Sequence, residues 1–333
     1  MLVTFDAEAT QQQNRSMRAH FREWIPIQAH RGPGSSVLDL AMEGEQMLRS
    51  LTVVDSPELA TRWRNWLDVD RGIAHAIGLE TTEWIELGRF TTPSGRVVDI
   101  TPDLQAAIAS TDSVPPDQLM APPGPRGATT VVAVANETSL SAAARLMAEG
   151  HDPLVLNMAN GVSPGGGFLS GARAQEEYLC RTTALWATIR DDEMYPTHAM
   201  RDDFESSDWM IVSPRVPVLR DDEGTALEEP WHVSFITSAA PVARRVGAAR
   251  SAMLMARRIE RLFAVAADQG YRAMVLGAWG CGAFGNDPWA TAQSFRSALT
   301  GPFSGVFDQI TFAITDWSDD RRFLTPFAET FSV

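Results

Sequence analysis

The feature that most constrains the fold is an alternation that begins at Thr129. Apolar runs of strand length occur at residues 131–135, 154–158, 210–212, 233–237, 273–276 and 310–315. Between them lie helix-length segments at 140–149, 175–190, 242–269 and 289–299. A strand that is apolar at every position has both faces buried, and helices between such strands supply the cover. The expected fold is α/β, with an α/β/α sandwich from Thr129 to the end. Ligands in such sheets bind at loops beyond the carboxyl ends of strands, so the loops after Met158 and Leu276 are where a site belongs.

The remainder carries less information. Residues 1–68 read as helical: Met17, Phe21, Trp24 and Ile25 fall at helical spacing, and Ser36 suits the cap of a helix carrying Val37, Leu40, Ala41, Leu48 and Leu51. Trp63, Trp66 and Leu67 suggest a third helix, and tryptophans there are expected as packing anchors. Val97, Val98 and Ile100 form a short strand after a Pro-Ser-Gly turn, residues 113–128 are a Pro/Gly-rich linker or wrapping loop, and 213–230 is a surface loop or hairpin. At 333 residues the chain suits one large domain with an extension as well as two domains.

Composition removes several classes of function. All 28 basic residues are arginine, so a P-loop lysine and a Schiff-base lysine are excluded. Two cysteines, Cys180 and Cys281, are too few for a disulfide framework or a zinc cluster, and the six histidines show no ligand spacing, so no metal or other cofactor is expected. A net charge of −14 argues against a nucleic-acid groove and obliges any polyanionic ligand to be held locally, by backbone N–H groups. No apolar run approaches the ~18 residues of a membrane span, and the N-terminus lacks a secretory pattern, so a cytoplasmic protein without membrane contact is the expectation.

Three stretches carry chemistry. The first is Gly165-Gly166-Gly167, after one apolar run and before a helix. Without a Cβ these residues let a ligand approach, and successive N–H groups can form an anion nest for phosphate or ribose. The second is Gln175-Glu176-Glu177, at the mouth of the next helix. Acids there are also favoured by the helix dipole, and Glu177 with Arg181 makes an i, i+4 pair, so the local pattern alone is equally structural. Adjacent helical residues point about 100° apart. The two carboxylates are therefore not the opposed pair of an ordinary glycosidase, and they should have different tasks. The third stretch, Gly277 to Asp287, contains Gly280, Gly282 and Gly285 in a GxGxxG spacing. A dinucleotide fold would need far more chain beyond it and an acid about 20 residues on, so it reads as a second phosphate-contacting loop. Phe284 within it either stacks on a sugar or base or tucks into the core.

Assembled, these residues resemble the bacterial-type poly(ADP-ribose) glycohydrolases, a branch of the macrodomain superfamily. The resemblance is carried by the triple glycine, the seven-residue spacer and Gln175-Glu176-Glu177, by the loop from Gly277 to Pro288, and by Arg71 to Ile100, where Phe90 stands at a position often held by tyrosine. It covers residues 70 to 331 and leaves the first 65 or so unmatched. It implies a macrodomain-like sandwich with a mixed sheet at 129–333 and an accessory segment and linker at 69–128, while the helical extension read from spacing at 1–68 lies outside it. It also implies roles. Glu177 would be the catalytic acid, Glu176 would hold ribose hydroxyls, and Gln175 would help position the loop. Gly165, Gly166 and Gly167 would contact ribose and diphosphate, and Asn160 the distal ribose. Gly280, Cys281, Gly282, Ala283, Phe284 and Gly285 would cradle the diphosphate, with Phe284 orienting the terminal ribose.

The expected activity is hydrolysis of ribose–ribose bonds in poly(ADP-ribose), releasing ADP-ribose from chain ends, by a monomer, without metal. A diphosphate beside the acid favours its protonated form by like-charge repulsion and stabilises the oxocarbenium ion as it develops. Two other readings share these loops: a module that binds ADP-ribose without turnover, and a hydrolase of mono-ADP-ribosylated protein or nucleic acid.

Overall fold

The computed structural model describes residues 46–121, 123, 127 and 129–332. The expected helix around Met17 to Ile25 and most of the one after Ser36 lie outside these residues, but Leu48, assigned to the second, is a correction. Leu48–Ser50 is a strand, β1, paired parallel with residues 130–132. Three residues are too short to display a period, and edge pairing overrode the helical spacing. The third helix is found as α1 (Pro57–Leu67), capped by Ser56, whose Oγ accepts from Leu59 N at 3.2 Å. Its Trp63 is buried and donates from Nε1 to Asn136 O at 2.5 Å, the packing anchor anticipated.

The chain continues through α2 (Arg71–Leu87), ended by Gly88 at φ +65°, the hairpin of β2 (Arg89–Thr91) and β3 (Val97–Asp99), α3 (Thr101–Ser110) and β4 (Asp112–Val114). Then come β5 (Thr130–Ala135), α4 (Ser139–Ala148) and β6 (Pro153–Ala159). After the first glycine loop and a 3-10 turn at Phe168–Ser170 follow α5 (Gln175–Thr182), α6 (Leu185–Ile189) and α7 (Met194–Arg201). The long strands β7 (Met210–Arg220) and β8 (Ala226–Ala239) precede α8 (Ala243–Val246) and α9 (Ala248–Asp268). The end of the chain is β9 (Ala273–Leu276), α10 (Pro288–Thr300), β10 (Gln309–Ala313) and α11 (Leu324–Phe331).

Among the described residues the main sheet runs β1-β5-β10-β9-β6-β8-β7-β4, parallel from β1 to β8 and antiparallel at β7 and β4. Strand alternation sorts the core into two layers. Leu154, Leu156, Met274, Leu276, Ile310 and Phe312 pack with α9, α10 and α11 on one face. Val155, Val275, Val233 and Phe235 pack with α2 to α7 on the other. The sheet is therefore mixed and covered on both sides, the three-layer α/β/α sandwich expected. Among the described residues no helix is long and apolar enough to cross a membrane.

Two expected helices are broken. The segment at 175–190 stops at Thr183, which is extended (φ −133°, ψ 171°) and bridges to Val218. The Thr183 hydroxyl bonds Leu179 O and accepts from Leu185 N, ending one helix and starting the next. The segment at 242–269 is interrupted by Gly247 at φ +89°, ψ 147°, a conformation open to glycine. The 213–230 excursion resolves as a hairpin, with the register shifted between Ser213 and Val216 and Arg215 at φ +50°. Its prolines are accommodated at that irregularity and toward the sheet edge.

Candidate active site

The two glycine loops leave the carboxyl ends of neighbouring parallel strands, β6 and β9. They begin in contact: a Cβ on Gly277 would lie 2.8 Å from the Met158 methyl. The crevice position read from the sequence is thus where the fold puts them, but the two loops use their backbone amides in opposite ways.

In the first loop the amides face inward. Gly165 N donates to Glu176 Oε1 at 3.2 Å, Gly167 N to Glu177 Oε1 at 2.9 Å, and Gly166 N to Ser163 O at 2.9 Å. The nest expected to hold a ligand's phosphate holds the chain's own carboxylates instead. Gly166 has φ +58°, and a Cβ there would overlap Glu177 Oε1 and lie 2.9 Å from Glu176 Oε2. Both acids, although 100° apart on α5, bend back to one glycine.

In the second loop three successive amides remain. Among the described residues Gly282 N, Ala283 N and Phe284 N donate to no acceptor, whereas Cys281 N, Gly285 N and Asn286 N close turns within the loop. Gly282 and Ala283 are exposed. This is the arrangement of an anion nest. Phe284 is half-buried and leans on the core, between the two alternatives read from sequence. Gly280 (φ +75°) packs too closely on Asn286 and Ala240 to admit a side chain.

The remaining predicted residues sort clearly. Gln175 clamps α5 to β6: its Oε1 accepts from Met158 N at 3.0 Å, and its Nε2 donates to Leu156 O at 2.7 Å and Ser139 Oγ at 3.1 Å. Asn160 Oδ1 accepts from Val162 N and Ser163 N, which folds the entry to the loop. Its Nδ2 has no acceptor among the described residues. Arg181 makes no ion pair with Glu177; it is buried and donates from Nη1 to Ala172 O at 2.5 Å.

The carboxylates differ in surroundings. Glu176 accepts from Asn160 N at 2.7 Å, from Gly165 N, and from Asn157 Nδ2 at 3.5 Å. Burial, aided by the Glu177 charge and opposed by these bonds, raises its pKa from 4.5 to about 8. Burial thus favours the neutral form of Glu176. Glu177 presents Oε2 as a buried oxygen with no protein partner, an arrangement that costs about 1–3 kcal/mol unless some other group binds it. Among the described residues no three His, Cys, Asp or Glu side chains gather as a metal cluster.

Three supports were not predicted. Asn157 stands out as the polar residue of an apolar strand, and it bonds Glu176 and Thr237 Oγ1. His198 is held neutral by burial, which lowers its pKa to about 4. Ser207 N donates to its Nε2, so Nδ1 carries the proton and donates to Gly161 O at 3.0 Å. Asn286 pins the second loop: its Nδ2 donates to Pro241 O at 2.9 Å, and its Oδ1 accepts from Ser251 Oγ at 2.6 Å. Nothing local in the sequence announces the last two, whose partners are distant in the chain.

Beside the second loop lies a cavity of about 880 Å³ walled by Cys281, Gly282, Ala283, Gly285, Trp289, Arg322 and Phe323, with Arg244 and Ser251 across it. The volume is that of a nucleotide-sized ligand. Arg244 and Arg322 have no carboxylate partner among the described residues, and Asp287 on the same wall caps α10 by accepting from Ala290 N.

A family model described as microbial-type PARG, catalytic domain, matches residues 79–221. The crystal structure of poly(ADP-ribose) glycohydrolase from Thermomonospora curvata is similar at 41% identity and a TM-score of 0.73, covering 78% of this chain and 99% of that one. The same enzyme bound to the inhibitor ADP-HPD aligns at a TM-score of 0.72, with the same identity and coverage. The Deinococcus radiodurans enzyme in complex with ADP-ribose is 34% identical, with a TM-score of 0.64 over 69% of this chain and 97% of that one. No curated protein sequence matches. With these identities over nearly the whole of each relative, the chain belongs to the microbial-type poly(ADP-ribose) glycohydrolase family.

Proposed function

We propose that this chain hydrolyses the ribose–ribose glycosidic bonds of poly(ADP-ribose) and releases ADP-ribose from chain ends, with Glu177 as the general acid. The observation that carries the reading is Glu177 Oε2, buried and unpartnered, one loop away from three free amides. An acid that makes no bond with its second oxygen is poorly explained as a structural charge. It is well explained as a group that meets the substrate's leaving oxygen. The relatives act on this polymer and have been captured with ADP-ribose or ADP-HPD.

In this reading the diphosphate sits on the amides of Gly282, Ala283 and Phe284, with Arg244 near, and the adenosine half extends into the adjoining cavity. The distal ribose meets Asn160 Nδ2 and the acid pair. The bond from the anomeric carbon to the neighbouring unit's ribose oxygen breaks as Glu177 donates its proton to that oxygen. The diphosphate stabilises the oxocarbenium ion as it develops. Water adds to the anomeric carbon and returns a proton to Glu177, so each turnover consumes one water and yields one ADP-ribose and a chain shorter by one unit. Glu176 keeps the loop folded through Asn160 N and Gly165 N while its remaining capacity faces the ribose hydroxyls.

The test is incubation with automodified poly(ADP-ribose) followed by sizing of products. Monomeric ADP-ribose from the first time points supports release from chain ends, and early oligomers would redirect the reading to cleavage within the chain. Calorimetric binding of ADP-ribose with no product over hours would make the chain a reader and end the hydrolase proposal.

A further inference from the structure

The hairpin of β7 and β8 takes no part in the chemistry, yet its tip reaches the helix that carries both acids. Within the turn Asp221 Oδ1 accepts from Glu223 N and Thr225 N, so the turn is closed by its own first carboxylate. Asp222 is left to point outward. Its Oδ2 accepts from Thr138 Oγ1 at 2.9 Å and Ser141 Oγ at 2.7 Å, and its Oδ1 accepts from the hydroxyl of Tyr178. Thr138 and Ser141 are the cap and first turn of α4. Tyr178 follows Glu177 directly in α5. A single side chain therefore joins the hairpin, the start of α4 and the middle of the acid-bearing helix.

The same hairpin grips the far end of α5 twice. Arg220 is buried, lies 3.8 Å over the Trp84 ring, and donates to Glu80 Oε2 at 2.6 Å and to Thr81 Oγ1 at 3.1 Å. Thr81 Oγ1 in turn donates to Arg181 O at 2.7 Å. One residue beyond the helix, Thr183 bridges to Val218 and Ala184 N donates to Pro217 O at 2.9 Å. Burial and the Asp222 charge push the Tyr178 hydroxyl well above its usual pKa, so it remains a donor throughout the working range.

We propose that the β7–β8 hairpin is a brace that sets the rotation of α5, and that Asp222 is a positioning residue acting on Glu177 through Tyr178. The need for a brace follows from the helix itself. It has eight residues and no side-chain N-cap, since Ala174 occupies that place. A helix so short has little stability of its own and takes its orientation from what it packs against. Carboxylates stand ~6 Å from a helix axis, so a turn of ~10° carries them ~1 Å. Misplacement by ~1 Å costs on the order of 10²-fold in rate. Gln175 and Glu176 tie the first two residues to β6 and the loop after it, and the hairpin contacts resist rotation of the remainder.

This inference rests on the hydrolase reading for its kinetic test and not for its structural one. Four variants are compared with wild type: Tyr178→Phe, Asp222→Ala, Asp222→Asn and the double variant Tyr178→Phe/Asp222→Ala. On poly(ADP-ribose), Tyr178→Phe and Asp222→Ala should each lower kcat by ~10–100-fold, with KM and the Kd for ADP-ribose within about threefold of wild type. The double variant should be no worse than the poorer single one, because both remove one interaction. Asp222→Asn keeps an acceptor for Tyr178 and should recover most of kcat. Amide exchange at Gly167, whose N–H is held by Glu177 Oε1, should rise about tenfold in Tyr178→Phe. Unchanged kcat with a lowered Tm, additive losses in the double variant, or unaltered Gly167 exchange would each overturn the brace. If wild type releases no ADP-ribose, the hydrolase reading fails and the exchange measurement alone decides the brace.

Discussion

Gly166→Ala is the sharpest steric probe of the acid pair. Residue 166 sits at φ +58°, a region that costs an L-residue about 1–2 kcal/mol. The added methyl would overlap Glu177 Oε1, lie 2.9 Å from Glu176 Oε2 and lie 3.2 Å from Glu177 Cδ. Backbone on one side and a buried helix on the other leave the carboxylates to move. Relief requires roughly 1 Å at Glu177, which breaks its bond to Gly167 N, worth about 0.5–1.5 kcal/mol. Stability should therefore fall by about 1.5–3.5 kcal/mol, the sum of the two costs, read from the shift of a urea midpoint at constant slope. Turnover should fall by ~10²–10³-fold, or about 3–4 kcal/mol in the barrier. Because the three amides without an acceptor lie in the other loop, ADP-ribose affinity by calorimetry should change far less than turnover. A Gly166→Ala protein with wild-type kcat would refute the placement of the acids against this glycine. Equal losses in affinity and rate would refute the division of labour between the loops.

Three further outcomes follow from the geometry. Glu176 has its pKa raised from 4.5 to about 8 in the folded state. Its contribution to stability is therefore fully present below pH 4.5 and lost as pH rises through 8, a span worth roughly 5 kcal/mol at most from 1.36 kcal/mol per pH decade. Urea melts should show wild type losing stability between pH 5 and about pH 8.5 relative to Glu176→Gln, and parallel curves for the two would contradict the burial of a neutral Glu176. Asn286→Ala removes bonds to Pro241 O, Gly280 O and Ser251 Oγ; calorimetry should find ADP-ribose bound about tenfold more weakly, with about 1–3 kcal/mol of stability lost. Arg244→Ala should raise the Kd for ADP-ribose several-fold and flatten its dependence on salt while leaving the melting temperature nearly unchanged.

How much of this was legible beforehand varies with the range of the interaction. β9 is legible residue for residue because its apolar run is bounded by Arg272 and Gly277. β7 and β8 extend well beyond their apolar runs, where Pro214, Pro217 and Pro230 and the acids between them look like loop. An antiparallel hairpin near a sheet edge tolerates them where a central parallel strand would not. The break at Thr183 was invisible because its cause is a strand, Val218, that comes 35 residues later. At the site, residue types sufficed to bring glycines, acids and strand ends together. They did not say which way an amide points. Both loops are glycine-rich, but the first turns the N–H groups of Gly165 and Gly167 onto Glu176 and Glu177 while the second leaves three without an acceptor. That difference is decided by where α5 docks. Asp222, His198 and Asn286 escaped notice for the same reason: each acts through contacts that only the assembled fold supplies.

If Glu177 gives its proton to the departing ribose oxygen, replacing its carboxylic acid by an amide removes turnover and spares binding. Glu177→Gln is compared with wild type for ADP-ribose binding by calorimetry and for initial release of ADP-ribose from automodified poly(ADP-ribose). The expected outcome is a Kd within about threefold of wild type and a release rate lower by ~10²–10⁴-fold, the range for loss of a general acid. Release within tenfold of wild type by a protein that still binds ADP-ribose would contradict it.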